Sequence, residues 1–547
     1  MIRRMLATVS ALALLAGVLA CDLSEEVVSG VTPEFYERRE GLDGAVNAAY
    51  SFLQRFYAQE IQMTMTELGT DLWVKGADGS FKHFNDYTAT LNATTGPVEQ
   101  LWNDSYEAIN TINTVLGRLP DIEGISEELR TERTAEMMFL RAFFYFNLVR
   151  TYGDVHLTLE ETTSIETEAQ RTPVADIYQQ AILPDLEFAE ANLPAVPSAA
   201  GRPSRGAAQH LLALVYLTRN ESGDPERALD RADAVINSGN YQLVDRWADL
   251  FAIENERNSE VIFSIQFTND PLTTGNGNRF HLYFLMEYDV LPGMSRVLQY
   301  GRPWKRLRPT EKLIYLFDRA IDSRYEDGFQ FLWLATVDDP ERGISVGDTA
   351  IFIPSVRTSE LPAEFHGKNY RIITEPDDFW NPQPTPFGSE YDFRSFPALT
   401  KHQDPTRLSI NDERGQRDFV VMRLAETYLL AAEALVRMGR NDEAVPYLNA
   451  IRERAAYPGS EMAMHISAAD VDLDFVLDER GRELFGEGHR WFTLQRTGKL
   501  VEWVRMFNRE GAPNIQDHHM LRPIPQTQID RTKNGDGTAF SQNPGYN

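Results

Sequence analysis

The chain has 547 residues, 42% of them hydrophobic and 11% aromatic, enough apolar mass for a sizeable core and too much for a disordered polymer. Its net charge of −28 excludes the nucleic-acid-binding class, whose affinity comes from lysine and arginine neutralising phosphates. A single cysteine excludes an internal disulfide and any multi-cysteine zinc site.

In chain order, Arg3 and Arg4 precede an apolar, small-residue stretch over 5–20, and Ala20 stands before Cys21. That is the charged region, apolar region and small-residue cleavage site of a secretory signal, too short for a comfortable membrane span. Val18-Leu19-Ala20-Cys21 resembles a bacterial lipobox, in which the cysteine is diacylated and becomes the first mature residue; Leu19 departs from the small residue usual there. Several acyl chains would anchor the protein without a transmembrane helix. No later segment carries an uninterrupted apolar run long enough to span a bilayer. The expected organisation is a signal peptide over 1–20, an acidic tether over 21–30 and one domain over 31–547. Within that domain a helical scaffold occupies 31–258 and 416–510, a loop-rich region 259–415 and a tail 511–547.

The segment 132–155 is apolar nearly all round from Met137 to Val149, which predicts a helix in the middle of a bundle rather than an aromatic ligand box. Segments 207–236 and 423–455 each read helix, turn, helix, with Gly223 and Gly439 in the turns and Ala228 and Ala444 five residues on. This is the logic of a tetratricopeptide hairpin, although the copies lie too far apart for a simple tandem array. Twelve of the 28 prolines fall between 271 and 397, where helical periodicity fades. There "SEVIFSIQF" (259–267) alternates like a strand, and "FWNPQPTPFGSEYDF" (379–393) reads as loop. The fold class is therefore mainly α: a scaffold of tetratricopeptide-like helical hairpins with a loop-rich insertion containing a few short strands.

The densest motif is "DERGRELFGEGHRWFTLQRTGKL" (478–500). Its Gly486-x-Gly488 fails as a dinucleotide fingerprint, because no strand precedes it and no third glycine follows at the required spacing. A catalytic His489 between Glu487 and Arg490 competes with structural pairing of these charges beneath the helices, and the pairing is favoured. The segment resembles the C-terminal signature of the SusD/RagB family of outer-membrane nutrient-binding lipoproteins, roughly E-R-x-x-E-L-x-x-E-G-x-R-W-x-D-L-x-R-x-G. Glu479, Arg480, Glu483, Leu484, Glu487, Gly488, Arg490, Trp491, Leu494, Arg496 and Gly498 match; Thr493 replaces the usual Asp. "FLRAFFYFNLVRTYGDVHL" (139–157), the two hairpins, "LRPIPQTQID" and "QNPGY" are similar to the family in the expected order, with His156 where a Pro is usual.

The resemblance implies a mainly helical fold with four tetratricopeptide-like units, no cofactor and no catalysis. It also implies a partner, a TonB-dependent (SusC-like) outer-membrane transporter that the lipoprotein caps as a lid, with a glycan or peptide ligand held between them. "DLSEE" after Cys21 looks like the acidic tract that sends such lipoproteins to the outer face.

A sugar-binding site needs exposed aromatic platforms with polar side chains beside them. Residues 66–92 supply Asp71, Trp73, Lys75, Phe81, His83 and Tyr87 in a Gly-rich setting; Trp304, Trp333, Trp380 and Tyr391 form a second group. "DRTKNGDGTAFS" (530–541) lacks the final bidentate carboxylate of a calcium loop, so no metal is expected there, and His518-His519 is assigned to the surface. Two other classes stay open: a surface glycoside hydrolase built on two carboxylates, and a tetratricopeptide scaffold that binds proteins alone.

Overall fold

A computed structural model describes residues 39–270, 272–354, 361–374 and 394–546. Cys21, Trp380 and Tyr391 lie outside the described residues. The main helices are α1 (Arg39–Phe56), α2 (Glu60–Thr66), α3 (Gly96–Arg118), α4 (Glu127–Tyr152), α5 (Leu183–Asn192), α6 (Arg205–Arg219) and α7 (Asp224–Ile236). After the insertion follow α8 (Leu424–Arg437), α9 (Asn441–Arg454), α10 (Leu473–Leu484), α11 (Arg490–Arg496) and α12 (Leu500–Phe507). No described helix is long and apolar enough to cross a membrane.

Local chemistry sets the ends of these helices. Ser126 caps α4 by accepting a hydrogen bond from the Leu129 N–H, and the chain leaves that helix through Gly153 at φ +75°. From Ala135 to Val149 every α4 side chain but one is buried, and Arg141 is tolerated there because Asp185 takes both its Nε and Nη2 at 2.7 and 2.8 Å. The aromatic run of α4 is core: Phe143 stacks on Tyr57 at 5.8 Å and meets Phe263 edge-on at 6.4 Å.

Each expected hairpin forms, α6 with α7 and α8 with α9, the chain turning at Gly223 (φ +80°) and Gly439 (φ +72°). Although far apart in sequence, the hairpins adjoin in space, because α7 packs on α8. Upstream, α1 packs on α3, α3 on α4, α4 on α5 and α5 on α6, so the helices make one continuous array. The fold is the mainly α, tetratricopeptide-like scaffold read from the sequence.

The insertion is tied to the scaffold by short strands: β1 (Trp73–Lys75), β2 (Val261–Ile265), β3 (Leu307–Pro309), β4 (Phe329–Gln330), β5 (Leu332–Leu334), β6 (Thr349–Phe352), β7 (Arg371–Ile372), β8 (Ala398–Leu399) and β9 (Phe419–Arg423). β1 pairs antiparallel with β3, β2 with β9 and β4 with β8, while β6 sits between antiparallel β5 and parallel β7. The insertion also has its own small core, in which Trp333 packs with Leu285, Met286, Tyr300, Ile351 and Phe396.

Candidate ligand-binding surface

Four of the expected ligand contacts turn out to be interior, which corrects the sequence reading. Trp73 has no exposed surface; β1 leads it into the core, edge-on to Phe284 at 4.8 Å and 71°. Trp333, 1% exposed, is the centre of the insertion's own core. Tyr87 is buried, and its hydroxyl donates to the Gly69 carbonyl at 2.8 Å; burial pushes its pKa up to about 12. Asp71 is buried against Arg490, which donates Nε and Nη2 at 2.7 Å each, and against Lys312 at 3.2 Å. Burial alone would raise its pKa, but these two cations outweigh burial and hold the carboxyl below its usual range. In all four the polar or aromatic group serves packing because its partners arrive from remote parts of the chain.

The other described candidates stay at the surface. Lys75, Phe81, His83 and Trp304 are all partly exposed. Lys75 is spent on Asp86 at 2.7 Å, and burial lowers the pKa of His83. The β1–β3 ladder brings the 66–92 segment beside Trp304, one member of the second group: the Gly76 N–H donates to the Arg306 carbonyl at 2.8 Å and the Asp78 N–H to the Lys305 carbonyl at 3.2 Å. Gly76 permits this approach, since a Cβ there would stand 2.1 Å from the Lys305 oxygen.

Trp304 is framed by guanidinium groups. Those of Arg279 and Arg306 lie 4.9 Å from its ring centre and that of Arg302 at 5.8 Å, contacts worth about 0.5–1 kcal/mol each at exposed sites. Glu413 holds Arg302 at 3.1 Å and also pairs with Arg279, while Glu60 and Asp78 hold Arg306 at 2.9 and 3.3 Å. The result is a partly exposed indole with three guanidinium groups lying over its ring and carboxylates holding them, an aromatic surface with forked donors and acceptors beside it, as a sugar's C–H faces and hydroxyls require. Arg279, Arg302, Arg306, Glu60 and Glu413 were missed in the sequence. "RPWKRLRP" (302–309), a basic run around a tryptophan in a chain of net charge −28, carried the signal.

The C-terminal signature is structural. Glu479, Arg480, Glu483, Glu487 and Arg490 are all buried. Glu479 pairs with Arg324, Arg452 and Arg482, each at 2.8 Å. Glu483 pairs with Arg423 at 2.7 Å, Arg324 at 3.2 Å and Arg454; Glu487 pairs with Arg423 at 2.7 Å and Lys401 at 2.6 Å. Burial works to raise these carboxyls, but the surrounding cations overcome it and bring Glu487 down to about 2. His489 and His210 flank Glu426 at 3.6 and 3.3 Å, inside the same buried system. Its carboxylates are ion-paired and shut off from solvent.

Two minor readings resolve differently. The 530–541 segment closes on itself, Thr538 donating backbone and side chain to Asp536 Oδ1 at 2.9 and 2.6 Å. His519, assigned to the surface, is instead buried, with Tyr87 and Tyr546 rings 5.0 and 6.0 Å away and its Nδ1 accepting from the Gln516 N–H. The tail folds back over residues 84–87, which its local sequence does not reveal.

A family model described as "SusD family" matches residues 259–546, more than half of the chain, and one described as "Starch-binding associating with outer membrane" matches residues 31–217. The SusD-like protein P2 of Formosa agariphila is 27% identical over 97% of this chain and 98% of its own. The starch-binding protein SusD of Bacteroides thetaiotaomicron is 23% identical over 78% of this chain and 75% of its own. Among solved structures, a laminarin-binding SusD-like protein superposes with a TM-score of 0.70 over 93% of this chain and 100% of that one, at 25% identity. Helical array, buried C-terminal signature and family match agree: the chain belongs to the SusD family.

Proposed function

We propose that this protein is a non-catalytic, outer-membrane lipoprotein that captures a glycan at the Trp304 surface and passes it to a TonB-dependent transporter, which it caps as a lid. The observation that carries the reading is the partly exposed Trp304, set among three arginines and three carboxylates on the loop-rich side of a SusD-family fold. The starch-binding and laminarin-binding relatives support a glucan as the ligand class. Phe81, His83 and Lys75, on the segment that β1 joins to β3 just after Trp304, are the next contacts we assign; Trp380 and Tyr391 remain candidates on the same insertion.

The test is calorimetric titration of laminarin and soluble starch into the wild type and Trp304→Ala. Loss of the platform weakens binding by at least tenfold, about 1.4 kcal/mol. Unchanged affinity in a folded variant would remove the site from this surface. Steady release of reducing ends from either glucan would overturn the non-catalytic reading in favour of a hydrolase.

The anchor is tested separately. With Cys21 as the acylated residue, Cys21→Ser leaves the fold intact and moves the protein from the membrane fraction to the soluble fraction in cells lacking the transporter. A variant still sedimenting with membranes under those conditions excludes acylation as the attachment.

A further inference from the structure

Away from the Trp304 surface, a cavity of about 690 Å³ opens where the end of α4 meets Arg171 and the C-terminal segment around Ser541 and Asn543. It shares no lining residue with the Trp304 surface. Arg150, Arg171, Arg219 and Arg496 line it against a single carboxylate, Asp154, a local reversal of charge in a chain of −28.

Two of the four cations are already neutralised: Arg219 pairs with Asp224 at 2.6 Å and Arg496 pairs with Glu433, whose second oxygen accepts at 2.7 Å. The other two have no carboxylate partner among the described residues. Arg150 stacks 3.7 Å over the Phe492 ring and 4.6 Å over Phe146, donates to Asn147, and leaves its Nε buried without an acceptor. Arg171 is spent on neutral oxygens, the carbonyls of Asp154 and Ser541 at 3.1 and 3.2 Å and Asn543 Oδ1 at 2.6 Å. Asp154 offsets Arg171 only in part: its charge acts on Arg171 without a direct ion pair, and its Oδ1 accepts the Val174 N–H at 2.9 Å.

Guanidinium groups drawn partly out of water with no carboxylate in direct contact are under-compensated, with only the more distant charges of Glu426 and Asp154 acting on them, and an oxyanion entering the cleft supplies the missing contact. Burial also holds the Arg150 pKa down to about 10, still charged at neutral pH. The planar fork of arginine matches a carboxylate or sulfate group bidentately, and the volume falls in the range of small-molecule sites. We propose that this cleft binds a small acidic sugar, with Arg150 and Arg171 receiving its carboxylate or sulfate group.

The experiment titrates glucuronate, glucose 6-sulfate, glucose and inorganic sulfate into the full-length protein, R171Q and R150Q. At least one acidic sugar binds, glucose binds at least tenfold more weakly, and R171Q, still folded, weakens the acidic sugar at least tenfold. Glucan binding at the Trp304 surface is untouched by R171Q, so the two sites are read independently. Should R150Q lose its fold with its stacking, R171Q carries the result. Absence of binding by both acidic sugars, equal binding of sulfate and sulfated sugar, or affinity indifferent to R171Q would each overturn the assignment.

Discussion

Glu483→Gln is expected to destabilise the protein by about 3–5 kcal/mol, the cost of breaking a buried ion pair from one side. The carboxylate is fully buried on α10 and serves three arginines that come from different parts of the chain: Arg423 at the end of β9, Arg324 in the insertion and Arg454 at the end of α9. Its backbone carbonyl also accepts from Arg423 Nη2 at 2.8 Å and Lys401 Nζ at 2.9 Å. A neutral amide would turn an N–H₂ toward the guanidinium groups and leave their charge uncompensated in the interior. The check is the denaturant midpoint at pH 7, with Glu443→Gln as control. Glu443 faces water in an exposed pair with Arg440, so its loss leaves the midpoint nearly unchanged.

The same residues fix the sign of the acid response. Glu483 and its neighbour Glu487, and Glu433 beside Arg496, have folded-state pKa values depressed below the usual glutamate value, Glu433 and Glu487 to about 2. Their contribution is therefore complete above pH 4.5 and is lost as pH falls toward 2. Glu67 runs the other way, pushed up to about 8 by burial even though the Gly488 and His489 N–H groups donate to it, so it disfavours the fold increasingly as pH rises from 4.5 to about 8. Glu483→Gln flattens the acid limb of stability against pH. A difference between variant and wild type that stays constant from pH 7 to pH 3 would mean that folding does not shift the Glu483 pKa.

Much of this architecture is legible in the sequence because helices announce themselves locally. Periodicity, the turn glycines at 223 and 439 and the small alanines at 228 and 444 place the hairpins without tertiary information. The signature charges are legible as a group, since glutamates and arginines three and four apart on one helix must either face water or find partners. The inside and outside of the loop-rich region are not legible. Apart from β2, which lies in the alternating 259–267 stretch, its strands are too short to show a period, and they pair with partners far away, Trp73 with Pro309 and Phe263 with Met422. The sequence around Trp73 reads as a glycine-rich polar loop. Gly76, however, is there so that two backbones can approach, and that approach takes the neighbouring tryptophan inward. Composition marks this stretch as special for the right reason, close backbone contact, while suggesting the wrong use.

That distinction gives the second large effect. Trp73→Ala removes an unexposed indole held by Phe284 at 4.8 Å and Phe329 at 6.5 Å, and is expected to cost about 3–5 kcal/mol, the range for large aromatic truncations that leave a cavity. Trp73→Phe is the informative partner. The Trp73 Nε1 is buried with no hydrogen-bond acceptor, so phenylalanine keeps most of the apolar contact and also removes an unsatisfied donor. Its penalty is expected to stay below about 1.5 kcal/mol, as for volume-tolerant core exchanges. Denaturant unfolding measures both substitutions, and glucan titration of the folded Trp73→Phe protein separates packing from contact. A core tryptophan gives wild-type affinity in that variant, whereas Trp304→Ala loses affinity while remaining folded. Reversal of the two results, with Trp73→Phe folded but unable to bind and Trp304→Ala binding normally, would return the ligand site to the 66–92 segment and make the buried position of Trp73 a closed state of that site.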